Sequence, residues 1–199
     1  MTAYPIRIEN GHGETLIFER LVSTPAGNRL EGYNEVESGA GPPMHVHFKQ
    51  EEGLTVVAGR LGYQIKGEAP RYAEVGESVV FARGVAHRFW ADGDEPLRCT
   101  AYIEPAGNSV YFLSEIFRST RENGGKPNAF EAAHLLHKYR SEFAMLDIPS
   151  FVTRLIFPML RLIGNLTGRF KELERGPAPL PLSQDLYIAP PAFVIAALT

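Results

Sequence analysis

Two histidines separated by one residue, His45 and His47, precede the acidic pair Glu51 and Glu52 in the stretch GPPMHVHFKQEEGLTVVAG. Side chains alternate between the faces of a β-strand, so both imidazoles would point to the same side. The short connection FKQE then turns the chain back and brings Glu52 across a hairpin from the histidines. Glu51 is one residue out of phase and is expected to face away. The spacing therefore predicts a site with two nitrogen ligands and one carboxylate ligand.

A fourth candidate ligand, His87, lies in the stretch GESVVFARGVAHRFWADG. It follows a turn in which Gly84 can adopt a positive φ, and it begins an extended segment, so its ring can face inward. Three imidazoles and one carboxylate suit one divalent transition metal ion (Fe, Mn, Ni, Cu, Co or Zn) and discriminate poorly among these metals. Such a centre can keep positions free for water or substrate. Glu52 is also the candidate catalytic residue, as a base that leaves the metal.

The spacing of these residues resembles the two sequence motifs of the cupin superfamily, small β-barrels of jelly-roll topology. Every fixed place of the first motif is filled, by Gly39, His45, His47, Glu52 and Gly59. The second motif is matched by Gly76, Gly84 and His87, whereas Ala82 and Ala91 replace a proline and an asparagine that are not metal ligands in the family. The resemblance covers about residues 10–105 and implies that the metal ligands are His45, His47, Glu52 and His87.

The first half of the chain predicts an all-β fold, because short extended segments alternate with turns rich in glycine, proline and asparagine. The strand candidates are residues 15–22, 29–37, 53–59, 60–67, 77–82 and 96–105. Together with the resemblance, this pattern predicts an antiparallel jelly-roll (cupin) barrel over residues 1–107.

Residues 108–199 show helical periodicity and predict an α-helical C-terminal extension that ends in a proline-rich apolar tail. The expected helices cover residues 109–120, a segment from Asn128 through Phe143, and residues 150–173, with a kink or break at Pro158. The third helix is expected to pack over the barrel mouth or against a second subunit, with an anionic membrane surface as the alternative. The tail PAFVIAALT could do the same, for instance as a strand on a neighbour's sheet edge.

Alternation along the ligand strands also predicts a substrate pocket. Leu54, Val56 and Phe89 are in phase with the ligands, and Tyr63 on the next strand either joins them or belongs to the core. Their apolar character favours an organic substrate. The remaining histidines have no further metal-ligand residues at a suitable spacing and are interpreted as surface residues. They are His12, His134 and His137.

The composition restricts the partners. The 199 residues are 44% hydrophobic and 22% charged, with a net charge of −3, so the chain has no positive excess with which to bind nucleic acid. A single cysteine, Cys99, excludes an internal disulfide, and the N-terminal segment lacks a signal-peptide pattern, which favours a cytoplasmic location. No apolar run approaches the ~20 residues of a transmembrane helix. A homodimer is expected.

Three functions remain open. The resemblance implies chemistry on a small organic molecule whose oxygen atoms bind the metal. The apolar pocket favours a dioxygenase-like oxidoreductase over a metal-dependent isomerase or decarboxylase. A second hypothesis is a non-catalytic cupin that binds or senses a small ligand, and a third is a metal-free structural barrel.

Overall fold

The computed structural model describes residues 3–181 and 193–195. Within these residues the strands are β1 Ile6–Glu9, β2 Glu14–Thr24, β3 Gly27–Val36, β4 His45–His47, β5 Glu51–Ala58, β6 Leu61–Ile65, β7 Arg71–Ala73, β8 Ser78–Phe81, β9 His87–Ala91, β10 Leu97–Glu104, β11 Phe143–Met145 and β12 Phe193–Ile195. The α-helices are α1 Ser109–Glu122, α2 Ala129–Lys138, α3 Phe157–Leu166 and α4 Lys171–Glu174, with a π-helical turn at Val152–Ile156.

The strands form two antiparallel sheets. One sheet has the order β1, β2, β3, β10, β5, β8, β12, and the other has the order β11, β4, β9, β6, β7. Apart from β1-β2-β3 and β6-β7, neighbours in these orders are not consecutive in sequence, as in a jelly roll, because the chain crosses repeatedly from one sheet to the other. The predicted fold, an antiparallel jelly-roll barrel followed by a helical extension, is confirmed.

The sheets enclose an apolar core because inward positions alternate with solvent-facing positions along the strands. The largest fully buried side chains in this core are Leu54, Leu61, Tyr63, Phe81 and Leu97. Such a core holds the strands in fixed register, and the register places the polar residues described below.

Helices α1 and α2 begin at the predicted positions. The Asn128 side chain caps α2 by accepting a hydrogen bond from the backbone N–H of Phe130 at 3.0 Å, as expected for an asparagine at this place. A second apolar cluster, contributed by both helices and the following segments, contains Phe112, Leu135, Tyr139, Phe143, Phe170 and Leu173.

The prediction that the second helix continues to Phe143 is wrong. Helix α2 ends at Lys138, and Phe143 lies on β11, which pairs with β4 in the barrel. The fully buried carboxylate of Glu142 explains the break, because it accepts a hydrogen bond from the Gln50 side chain at 3.0 Å and others from the Asn108 backbone and side chain. Helical periodicity does not reveal this tertiary constraint.

The third helical segment changes from a π-helical turn to an α-helix next to Pro158, where a kink or break was predicted, but the backbone remains helical there. The predicted end near residue 173 is wrong, because α3 ends at Leu166 and Lys171–Glu174 forms the separate helix α4. A π-helical turn precedes α3, and Pro158 occupies the first turn of α3, where its missing N–H costs no hydrogen bond. Helix α3 packs on α2, and Val152 in the turn before it lines the cavity described below. The segment leaves an exposed apolar stripe made of Phe151, Leu155, Met159, Leu162, Ile163 and Leu166. No helix within the described residues is long and apolar enough to cross a membrane.

Two further expectations about the extension need correction. The tail contributes β12 to the sheet of its own chain, paired with β8, rather than to a neighbour's sheet edge; the rest of the tail lies outside the described residues. His134 is 3% exposed and packs against the ring of Phe170, so it is not a surface residue. Its inward position on α2 follows from its place beside Leu135 and Ala133.

Candidate metal centre

The four predicted ligands come from three strands in two facing sheets. His45 and His47 lie on β4, and His87 lies on the neighbouring β9, directly opposite His45. Glu52 lies on β5 in the other sheet. The side chains therefore meet inside the barrel because both sheets point their inward positions at the same space.

One oxygen atom, Glu52 Oε2, lies at the centre of the group. His87 Nε2 is 2.9 Å from it, His45 Nε2 is 3.7 Å away and His47 Nε2 is 3.9 Å away. Ligand atoms of His45, His47 and Glu52 all lie within 4.8 Å of one another, a spacing at which they could hold a metal ion. All four side chains are buried.

Two of the imidazoles are oriented by backbone carbonyls. His45 Nδ1 hydrogen-bonds the carbonyl of Pro43 at 2.8 Å, and His87 Nδ1 hydrogen-bonds the carbonyl of Val85 at 2.9 Å. A carbonyl only accepts, so each Nδ1 carries the proton and each Nε2 presents its lone pair to the centre. Such carbonyl partners are typical of metal-ligating histidines.

The packing around the rings restricts their motion. His87 stacks on Phe81 with the ring centroids 3.9 Å apart, and His47 makes an edge contact with Phe143 at 5.4 Å. Phe143 comes from β11, so the C-terminal extension helps to fix a residue of the site. Sequence reasoning missed Phe143 because it was assigned to a helix.

The hydrogen bonds of His87 test whether a cation fits. Neutral imidazole has one N–H, which His87 uses on Val85, yet its Nε2 also lies at hydrogen-bonding distance from the Glu52 carboxylate. Two lone pairs would face each other there unless a proton or a metal cation lies between them. His47 Nδ1 is buried without a hydrogen-bond partner among the described residues, which leaves its tautomer free to present Nε2. The donor set therefore fits a metal ion.

The electrostatics of the site favour the metal-binding protonation states. Burial, together with the charges of His45 and His87, lowers the pKa of His47 to about 3, so its ring stays neutral. Burial alone would raise the pKa of Glu52, but the nearby imidazoles of His45 and His87 hold it well below its usual range, so Glu52 is an anionic oxygen donor at neutral pH. Burial and the charge of His45 lower the pKa of His87, which favours its neutral form. His45 is the exception, because burial is outweighed by its contact with Glu52, which raises its pKa, and a bound metal ion would have to displace that proton.

A cavity of about 790 Å³ opens onto the centre, and His45, His47, Glu52 and Phe89 line it. Its apolar wall comes mainly from the barrel and from α1 and α2, and includes Phe18, Leu30, Phe112, Leu113, Ile116 and Leu136. The structure places Leu54, Val56 and Tyr63 in the buried core between the sheets. Of the four predicted pocket residues, Phe89 is the one on the cavity wall, and the substrate contacts of the others remain predictions.

The polar residues of the cavity wall other than the ligands were missed, among them two buried ones on neighbouring strands. Glu14 on β2 and Asn34 on β3 are 7% and 3% exposed, and both line the cavity with the ligands. The available signal was that each occupies an inward position in phase with buried apolar residues of its strand, such as Phe18 and Leu30.

The remaining titratable residues lie where they were expected. Glu51 points away from the centre and accepts a hydrogen bond from the Tyr102 hydroxyl at 2.7 Å. His12 and His137 are exposed.

Comparison with known proteins identifies the fold family. The family described as "Cupin domain" matches residues 32–103, a span that includes all four predicted ligands. The chain contains a cupin domain. The structure of KdgF from Halomonas sp. is similar to 54% of this chain and 99% of that chain, at 17% sequence identity and a TM-score of 0.45. A double-stranded β-helix protein from Klebsiella pneumoniae gives a TM-score of 0.39 at 19% identity, over 45% of this chain and 76% of that chain.

Curated relatives match part of the chain. "Probable oxidoreductase virH" of Hypocrea virens is 29% identical over 82 residues, which are 40% of this chain and 37% of that protein. "Probable oxidoreductase patJ" of Aspergillus clavatus is 34% identical over 79 residues, which are 39% of this chain and 24% of that protein. The matched region thus spans less than two-fifths of the length of these relatives.

Proposed function

We propose that the protein is a metal-dependent, dioxygenase-like oxidoreductase that acts on a small organic molecule. The observation that carries this proposal is the convergence of three imidazole nitrogens on one carboxylate oxygen at the wall of a large apolar cavity. Buried polar groups in an apolar pocket are typical of sites that orient a ligand for chemistry. The curated relatives are named oxidoreductases, which favours this class over an isomerase or decarboxylase.

The metal would be held by His45, His47, Glu52 and His87. When bound, a redox-active ion of this kind supplies electron transfer and polarises an oxygen atom of the substrate. His87 belongs in the set because its Nε2 lies closest to Glu52 and has its lone pair directed there. Iron, manganese, nickel, copper, cobalt and zinc are all compatible with these donors.

The residues of the chain would do the remaining work. Apolar side chains from α1 and α2 exclude water from the cavity, which strengthens electrostatic interactions near the ligands. Phe89 and Phe143 flank the site and would orient a planar substrate. Glu52 would accept a proton from a substrate hydroxyl when its carboxylate leaves the metal and the histidines, because their contacts hold its pKa well below its usual range.

The proposal includes a homodimer. The apolar stripe on α3 and the preceding turn is support for it, because Leu155, Leu162 and Leu166 are 69%, 61% and 80% exposed. A continuous row of exposed apolar side chains is unusual on a monomer and is typical of a surface that a partner covers. A second copy of the chain, packing its own stripe against this one about a two-fold axis, would bury both.

Oxygen uptake tests the activity. Protein loaded separately with iron, manganese, nickel or copper is mixed with flavonols, catechols and diketones, and consumption of dioxygen is followed with an electrode. We expect uptake with at least one metal and one substrate, and its loss in His47→Ala. Substrate binding without uptake across all metals would instead favour the non-catalytic binding function.

A further inference from the structure

Glu14 and Asn34 form a buried polar pair in a cavity wall that is largely apolar. The residues lie on the adjacent strands β2 and β3, and both line the cavity that His45, His47 and Glu52 also line. They are 7% and 3% exposed, so neither is solvated by bulk water. A buried carboxyl group and a buried amide need hydrogen-bond partners to offset the loss of water.

The partners available within the protein are poor. Asn34 Nδ2 is 3.5 Å from Glu14 Oε1, and Asn10 Nδ2 is 3.4 Å from Glu14 Oε2, both at the upper limit for a hydrogen bond. Asn34 Oδ1 is buried and has no partner among the described residues. Burial raises the pKa of Glu14 to about 7, so near neutral pH its carboxyl group can donate as well as accept.

Another buried carboxylate in the same chain shows what a structural role looks like. Glu142 is fully buried and accepts four hydrogen bonds of 2.6 to 3.1 Å, from Gln50, from the backbone and side chain of Asn108, and from the backbone of Leu180. Each of its oxygens is satisfied, and it fixes the course of the chain. Glu14 and Asn34 lack such partners, and the space beside them is the cavity.

We propose that Glu14 and Asn34 form a second polar subsite, which binds a hydroxyl or carbonyl oxygen of the substrate in the same cavity as the metal centre. This inference rests on the proposed function, because it assumes that another oxygen of the same molecule binds at His45, His47 and Glu52. The substrate is then a largely apolar molecule that carries oxygen atoms at two separate positions.

The cavity wall specifies the molecule further. Aromatic side chains from both sheets and from α1 line the cavity that contains both polar sites, and they include Phe18, Tyr33, Phe89, Phe112, Phe117 and Phe143. Aromatic walls favour flat aromatic ligands, which pack against them edge to face or offset-stacked. A cavity of about 790 Å³ accommodates a drug-sized molecule. The substrate class is therefore a polyoxygenated aromatic compound.

Two flavonols serve as matched probes for this subsite. 3-Hydroxyflavone carries the chelating hydroxy-ketone alone, whereas kaempferol has the same skeleton with three added hydroxyl groups. Isothermal titration calorimetry on the purified protein gives the ratio of the two dissociation constants. We expect kaempferol to bind about tenfold tighter, the size of one well-placed hydrogen bond. In Asn34→Leu and in Glu14→Met the ratio should fall towards one, with 3-hydroxyflavone bound as before.

Glu19→Met is the matched control, because Glu19 is an exposed carboxylate on the same strand. It should keep the wild-type ratio. The metal content of every variant is measured alongside, so a protein without metal defeats the proposed function whereas the ratio still reports on the subsite. A ratio unchanged in both Asn34→Leu and Glu14→Met, or a wild-type protein that shows no preference or binds neither flavonol, overturns the subsite.

Discussion

His87 Nε2 lies 2.9 Å from Glu52 Oε2, and this contact joins the two sheets of the barrel at the metal centre. The Nδ1–H group of His87 donates to the Val85 carbonyl, so a second proton or a metal ion has to lie between its Nε2 and Glu52. The same carboxylate is approached by His45 and His47 from β4. Replacing His87 therefore tests whether these four side chains bind one metal ion.

His87→Ala should lose most of the metal, because the variant removes one proposed ligand while Glu52, His45 and His47 remain. Metal per chain is measured by inductively coupled plasma mass spectrometry after identical purification. His137→Ala is the control, since His137 is exposed and its side chain contacts Arg140. Removing the buried ring also leaves a cavity beside Phe81, so a fall in stability of about 2–4 kcal/mol is expected without loss of the fold. Unchanged metal content would remove His87 from the ligand set.

Glu14 gives the stability a pH dependence of defined sign. Burial raises its pKa from the ordinary value of 4.5 to about 7, so the folded protein binds this proton more tightly than the unfolded chain does. Below about pH 4.5 Glu14 is protonated in the folded and the unfolded chain alike. As the pH rises towards 7, the unfolded chain releases this proton and the folded protein keeps it, so the free energy of unfolding falls. Relative to Glu14→Gln, the wild type should lose about 3 kcal/mol of unfolding free energy across this range. Urea denaturation of both proteins from pH 4.5 to pH 8 checks this. An unfolding free energy that changes equally with pH in the two proteins would contradict it.

Gly164 should resist substitution although it lies inside a helix. Alanine normally stabilises a helix by about 1 kcal/mol relative to glycine. Here a Cβ atom at Gly164 would lie 2.1 Å from Cζ of the buried Phe170 ring. Displacing this ring costs more than the helix gains, so Gly164→Ala should destabilise the protein by about 1–2 kcal/mol in chemical denaturation. The exposed neighbour Asn165→Ala should be neutral or slightly stabilising, and the same behaviour in Gly164→Ala would show that the contact is not tight.

The apolar stripe on α3 should hold the proposed dimer together. A double variant, Leu155→Glu with Leu162→Glu, places two negative charges in the stripe. It should dissociate the dimer into monomers in sedimentation-velocity experiments. Both leucines are exposed within one chain, so the monomer itself should unfold at nearly the same denaturant concentration. Asn165→Glu on the same helix should leave the association unchanged. A wild-type protein that sediments as a monomer at micromolar concentration would refute the dimer.

The convergence of the candidate ligands could be predicted only partly from local geometry. Alternation along a strand places His45 and His47 on one side. The predicted hairpin is wrong, because β4 and β5 lie in different sheets and Glu52 meets the histidines across the interior of the barrel. His87 required the family resemblance, because its pairing with His45 joins strands about forty residues apart. The jelly-roll barrel was predicted from the pattern of short extended segments together with the family resemblance.

The pocket could be predicted only in part. Leu54, Val56 and Tyr63 share the inward phase of the ligands, but the alternation does not tell how deep in the barrel a residue lies, and the structure buries them in the core. The actual wall includes α1, α2 and Phe143, whose positions depend on contacts such as that of Glu142 with Gln50. Contacts between residues 92 positions apart leave no periodic trace in the sequence.

Anomalous diffraction from crystals grown without added metal tests the central claim most directly. Data collected on both sides of the absorption edges of manganese, iron, nickel, copper and zinc would identify and locate any bound ion. The account predicts one strong peak per chain, within coordination distance of His45 Nε2, His47 Nε2 and the Glu52 carboxylate. Crystals without a transition-metal peak there, from protein whose elemental analysis also finds no stoichiometric metal, would contradict it.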